Sequence, residues 1–200
     1  MRRVNIVLAT AAATLLAVPA ANAGLIGSVT QVVLPTCGST GHPFAQFGDT
    51  HAYYGFANNG FESGSNGWTL SGGASVGRGN EPWLVNGPGS HSLTLPAGAS
   101  ATSPGFCINL LDPAIRAFAR GTTGGNLQVQ VIFHGLTGNL TGILNIASMT
   151  GTNGWAPTSR VSSNLALPVL TAYAQIRVTS VSGTWNVDDA FVDPYINGAG

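Results

Sequence analysis

Residues 126–135 read NLQVQVIFHG and residues 172–181 read AYAQIRVTSV. In the first, Leu127, Val129, Val131 and Phe133 alternate with Gln128, Gln130, Ile132 and His134. In the second, Ala174, Ile176 and Val178 alternate with Tyr173, Gln175, Arg177 and Thr179. Successive side chains of a strand point to opposite faces of its sheet, so a period of two predicts two strands, each with one buried and one polar face.

Beyond these two runs, TWNVDDAFV follows a Ser182-Gly183 turn, which predicts a hairpin between the last two strands. Weaker strand signals lie in GSVTQVVL, GWTLSG, HSLTLP, FCINLL, AIRAFARG and LTGILNIAS, separated by NNG, SGSNG, SGG, NGPGS, PAG, TTGG and GTNG. No segment carries a sustained apolar stripe of period 3.6. The nearest, LLDPAIRAFAR, is interrupted by Pro113 and reads better as a strand. Many short strands with glycine-rich turns predict an all-β protein, a two-sheet antiparallel sandwich of jelly-roll, galactose-binding-like type.

The N-terminus, MRRVNIVLATAAATLLAVPAANA, has two arginines, an apolar stretch shorter than a bilayer span, Pro19 and an Ala21-Asn22-Ala23 site. It is expected to be a secretory signal, residues 1–23, cut after Ala23. The remainder is expected to comprise an extension and disulfide-tethered loop, 24–57, and one sandwich domain, 58–200. No later segment approaches a membrane span, so no membrane insertion is expected after cleavage, and the protein is expected to be secreted, extracellular or held in the cell envelope.

The chain has no lysine, and after residue 23 five arginines face seven acids, a formal charge of −2. Nucleic-acid binding needs a basic stripe that releases counterions from phosphates, and none exists here. An anionic membrane surface is disfavoured for the same reason. A chain that is 44% hydrophobic is nonetheless expected to fold. Its two cysteines, Cys37 and Cys107, are expected to pair in an oxidising compartment, closing a loop worth roughly 4 kcal/mol by chain entropy. The loop CGSTGHPFAQFGD, 37–49, would thereby be tied to the sandwich.

Two segments resemble a known family. NNGFESGSNGWTLSGGAS, 58–75, resembles the opening strand and loop of bacterial jelly-roll carbohydrate-binding modules, and TWNVDDAFVDP, 184–194, resembles their closing strand. The chain is also similar to a group of uncharacterised secreted bacterial β-sandwich proteins with the same Cys, NGFE, GWTLSGGA, SATSP and DDxxVDP landmarks. The first resemblance implies a structural calcium, with Glu62 and either Asp188 or Asp189 as carboxylate ligands. Calcium takes several oxygen ligands, which carboxylates and loop carbonyls supply.

Catalytic readings are weak. Gly73-Ala74-Ser75-Val76-Gly77 fits G-x-S-x-G, with Asp112 and His134 in hydrolase order, yet no helix pattern follows the serine. Asp188 and Asp189, adjacent in a strand, should point to opposite faces and so fail as a glycosidase pair, and Glu81 is a lone loop acid. His42, His51, His91 and His134 lack zinc-ligand spacing. What remains is a polar sheet face of Gln128, Gln130, His134, Tyr173, Gln175 and Arg177. Trp83 is a possible stacking platform beside it, while Trp68 and Trp185 are expected in the core. The expected function is non-catalytic binding of a glycan or envelope component; the alternative is a structural or adhesive envelope protein, or simply a solvated sheet face.

Overall fold

The computed structural model describes residues 33–108, 114–162 and 170–193. The expected signal, most of the GSVTQVVL segment and Asp112 lie outside the described residues. Apart from one 3-10 turn at Ala45–Phe47, the regular structure of the described residues is β. The strands are β1 (Tyr54–Gly55), β2 (Thr69–Ser71), β3 (Ser75–Arg78), β4 (His91–Leu95), β5 (Ser100–Thr102), β6 (Ala114–Gly121), β7 (Asn126–His134), β8 (Leu140–Thr150), β9 (Ala156–Pro157), β10 (Val161–Ser162), β11 (Tyr173–Ser182) and β12 (Trp185–Asp193). They form two antiparallel sheets. One has seven strands in the order β10-β6-β12-β4-β3, with β1 on β12 and β9 on β6; the other has five, β2-β5-β11-β7-β8. This is the jelly-roll sandwich the alternation predicts.

The core lies between the inward sets. Leu127, Val129, Val131 and Phe133 of β7 and Ala174, Ile176 and Val178 of β11 meet Ile115, Ala117 and Ala119 of β6 and Trp185, Val187, Ala190 and Val192 of β12. Trp68 and Trp185 are buried in it, as expected. The hairpin reading of the last two strands is corrected: β11 pairs with β5 and β7, whereas β12 pairs with β1, β4 and β6. The two strands sit in opposite sheets because both carry a large apolar inward set, and facing each other across the core buries both. Ser182-Gly183 is the crossover, with Gly183 at φ 75°, the Ser180 hydroxyl donating to Gly183 O and the Trp185 indole donating to Ser182 O.

Residues 41–56 pack against the sandwich. Tyr54 and Phe56 enter the main core, β1 adds to the seven-stranded sheet, and Gly41 bridges Tyr53. Phe44 and Tyr53 form a second cluster with Phe118 and Phe191 on the outer face of that sheet. Aromatic residues are too large to leave exposed in such numbers, and each ring pair adds about 0.5–1.5 kcal/mol beyond its buried area. Arg116 lies under this cover. Its guanidinium stacks 4.4 Å from the Phe44 ring and pairs with Asp49 at 2.6 Å. Burial alone would raise the Asp49 pKa, but donors from Tyr53, His51 and Arg116 outweigh it and hold the carboxyl well below the usual range. The disulfide is formed, with the Cα atoms of Cys37 and Cys107 5.2 Å apart, and the Tyr54 hydroxyl donates to the carbonyl of Cys107.

Candidate functional site

The register of β7 on β11 sets Tyr173 opposite His134, Arg177 opposite Gln130 and Thr179 opposite Gln128. Gln175 falls between Tyr173 and Arg177 on the same side. All six residues picked from the alternation therefore share the outer face of the five-stranded sheet. The neighbouring strands extend it: Thr102 and Ser100 of β5 lie beside Arg177 and Thr179, Thr69 and Ser71 of β2 lie beyond them, and Asn145 and Ser148 of β8 lie opposite Gln130 and Gln128. The β8 contribution was hidden in the sequence because two register shifts break its period.

These side chains bond to one another across the strands. Asn126 donates to Ser148 at 2.6 Å, Gln130 to Asn145 at 2.8 Å, and Arg177 Nε to the Thr102 hydroxyl at 3.2 Å. Gln175 bridges His134 Nε2 (2.8 Å) and the carbonyl of Ser103 (2.8 Å). The Tyr173 and His134 rings are parallel to within 7°, with centroids 4.7 Å apart, which is the spacing of adjacent strands. The flat ring expected of Tyr173 is thus covered on one side by His134, and the pair stands edge-up on the sheet.

Trp83 is placed elsewhere. Its ring packs on Phe47 (5.1 Å) and Phe118 (5.3 Å), over the seven-stranded sheet, so it is not a platform beside the polar face. Two clefts also open: one of about 310 Å³ between β6 and β9 of the seven-stranded sheet and the end of β8, and one of about 480 Å³ against β1 and β12.

The acids regroup as well. Glu62 is exposed at one end, accepting from the backbone N–H groups of Ser90 and His91 at 2.8 Å and lying 3.1 Å from His91 Nδ1. The carboxylate joined to the Asp188–Asp189 pair is instead that of Glu81, fully buried in the loop after β3. Glu81 N–H donates to Asp188 Oδ2 at 2.9 Å, while the Glu81 side chain accepts from the N–H groups of Trp83 and Val85. The expectation that Asp188 and Asp189 point to opposite faces is corrected. A bulge between Asp188 and Phe191, with Asp189 at φ 45°, breaks the alternation, and both carboxylates approach Gly60: a Cβ there would meet them at 3.9 and 2.8 Å. Burial, then the charges of Asp189 and Glu81, pushes Asp188 up to about 8; burial and Glu81 push Asp189 up to about 7. Such a trio holds a proton readily. The carboxylate oxygens are already engaged by amides, and among the described residues no three of His, Cys, Asp and Glu are arranged to hold a metal ion. Glu62 is engaged by Ser90 and His91, and Asp188 by the backbone amides of Glu81 and Asp189.

Ser75 starts β3, an edge strand running beside β4, so no strand-to-helix elbow exposes it. His134 lies in the other sheet. His42 faces the carbonyls of Thr50 and His51, and His51 bonds Asp49.

No family model and no curated protein matches the sequence. Solved structures do match. One is the enzymatically active domain of tailspike protein 4 of bacteriophage CBA120, at TM-score 0.51 and 18% identity. The match covers 68% of this chain and 20% of that one. Another is the CBM22-1–GH10 portion of Clostridium thermocellum endo-1,4-β-D-xylanase 10B in complex with xylohexaose, at TM-score 0.51 and 16% identity, covering 70% and 28%. A third is the CBM22-1 xylan-binding domain of Paenibacillus barcinonensis Xyn10C, at TM-score 0.48 and 16% identity, covering 68% and 90%. This chain thus spans 20% and 28% of the first two structures. The likeness is one of fold: the chain is an antiparallel jelly-roll sandwich whose structural neighbours include carbohydrate-binding modules.

Proposed function

We propose that this protein is a non-catalytic glycan-binding domain that works outside the cell or in its envelope, and that the outer face of the five-stranded sheet is its binding surface. One observation carries the reading. Gln128, Gln130, His134, Tyr173, Gln175 and Arg177 form a single half-buried field of amide, imidazole, phenol and guanidinium groups, extended by the hydroxyls of β2 and β5. Sugars offer hydroxyls that both donate and accept, and a preorganised field of this kind answers them without new ordering cost. The occurrence of the fold in a structure that pairs a CBM22 module with a xylanase and holds xylohexaose supports the reading. The disulfide agrees with an exported chain.

Affinity electrophoresis through a panel of plant, algal and bacterial polysaccharides tests it. At least one polysaccharide is expected to retard the protein, and Gln130→Ala and Tyr173→Ala are expected to abolish the retardation. Both should move stability by less than about 1 kcal/mol, because the side chains are only half-buried. A full panel without retardation refutes the reading.

A second reading is favoured by a separate observation. Leu136, Leu140, Ile143 and Leu170 are exposed at one end of the same sheet, with Leu140 opposite His134 and Ile143 opposite Ile132. An apolar border of this kind suits a structural or adhesive envelope protein that packs against another protein.

A further inference from the structure

The five strands of the polar sheet contain one formally charged side chain, Arg177, and no aspartate or glutamate. Every described acid lies elsewhere. Asp49 pairs with Arg116 and Asp193 with Arg160. Glu62 is held at the head of β4, and Glu81, Asp188 and Asp189 are buried together. Among the described residues this segregation gives one sheet face a positive centre with no acid on its own strands.

The guanidinium is also only partly satisfied. Gln130 is engaged by Asn145, and Gln175 by both His134 and Ser103. Arg177 spends Nε on the Thr102 hydroxyl, which fixes its plane, and its two terminal nitrogens have no protein partner among the described residues. Its neighbours on the adjacent strands are Gln130 and Thr102, and along β11 they are Gln175 and Thr179, so nothing anionic stands within reach on the sheet. A planar fork with its terminal donors open matches the two oxygens of a carboxylate, and a charge-assisted pair of that geometry is about twice as strong as a neutral hydrogen bond.

We infer that the ligand of this face is an acidic glycan, a polymer bearing uronic-acid carboxylates, with Arg177 as the residue that selects it over its neutral counterpart. The inference rests on the glycan-binding reading of the same face and adds the substrate class.

The test compares polygalacturonate, alginate and glucuronan with the same polymers after carboxyl reduction, which removes the charge and keeps the chain. At least one acidic polymer is expected to bind about tenfold more tightly than its reduced form, the lower end of what a hydrogen bond to a charged group contributes. That preference is expected to weaken as salt is raised and to vanish in Arg177→Gln, while Arg177→Lys keeps part of it. Equal binding of acidic and reduced forms, binding of neither, or a preference intact in Arg177→Gln overturns the inference. So does equal retention of dextran sulfate, which would mean charge alone. The comparison of acidic with reduced polymers uses the unaltered protein and decides the acidic selectivity even if Arg177→Gln fails to fold. Binding of a neutral polysaccharide that is lost in Gln130→Ala but indifferent to Arg177→Gln would leave the glycan reading standing and remove only the acidic selectivity.

Discussion

The backbone N–H of Glu81 donates to the carboxylate of Asp188 at 2.9 Å, tying the loop after β3 to the last strand. The link places three buried carboxylates together and makes the fold sensitive to pH. Asp188 and Asp189 ordinarily titrate near 3.8 and here sit at about 8 and 7, with burial as the first cause. Between about pH 4 and 8 the folded state therefore holds more protons than the unfolded chain, so stability falls as pH rises through that window. Asp49 acts in the opposite sense: its depressed pKa contributes stability that is present above about pH 4 and lost at lower pH. Melting temperature against pH is expected to peak on the acid side of neutrality and decline towards pH 8. Asp189→Asn, which still donates to Glu81, should flatten the decline; an unchanged slope would show that the pair does not govern it.

Chelation bears on the same trio. Because amide donors already engage these carboxylates, EDTA is expected to leave the melting temperature at pH 7 unchanged. A drop reversed by added calcium would restore a structural ion, with Glu81, Asp188 and Asp189 rather than Glu62 as its first carboxylates. An ion at a hundredfold excess over its Kd would add about 2.7 kcal/mol, well within what a thermal scan reads.

Replacing both Cys37 and Cys107 by serine is expected to cost about 4 kcal/mol, from the 70-residue separation that the bridge closes. Denaturant unfolding of the double variant against the oxidised protein measures it. Because Cys107 is buried beside the Tyr54 hydroxyl, the loss should exceed that from adding a reductant briefly to the folded protein.

The Arg116–Asp49 pair lies at 10% and 11% side-chain exposure beneath Phe44. Removing one partner leaves a buried charge unpaired, so Asp49→Ala and Arg116→Ala are each expected to cost about 3–5 kcal/mol. Arg116→Met combined with Asp49→Leu should recover much of that loss. Urea midpoints of the three variants decide it, and single losses below about 1 kcal/mol would show that water still reaches the pair.

The period-two runs of β7 and β11 were enough to foretell two strands, their inward sets and the six polar residues that share a face. A strand's alternation is a local property of the extended backbone, and it survives into any sheet that buries one side. The pairing of Cys37 with Cys107 was readable for a comparable reason, since two cysteines admit one intramolecular bridge. Long-range placement was not readable in this way. Whether Trp185 follows Val178 in a hairpin or faces it across the core depends on where two large apolar sets find complementary surface. Trp83 likewise carries nothing locally that says it will rest on Phe118.

Amino-acid order alone was sufficient for the all-β class, the sandwich, the bridge and the composition of one polar face, because each rests on side-chain alternation, turn residues or counting. Which acids meet was settled by the packed fold. Glu81 and Asp188 are 107 residues apart, and the left-handed bulge at Asp189 turns two adjacent carboxylates towards one glycine against the rule their strand would obey. Packing also stacked Tyr173 on His134 and tied Arg177 by Nε to Thr102, with its terminal nitrogens left open. Those outcomes arise from the register of one strand against another, a relation between distant segments that no local pattern contains.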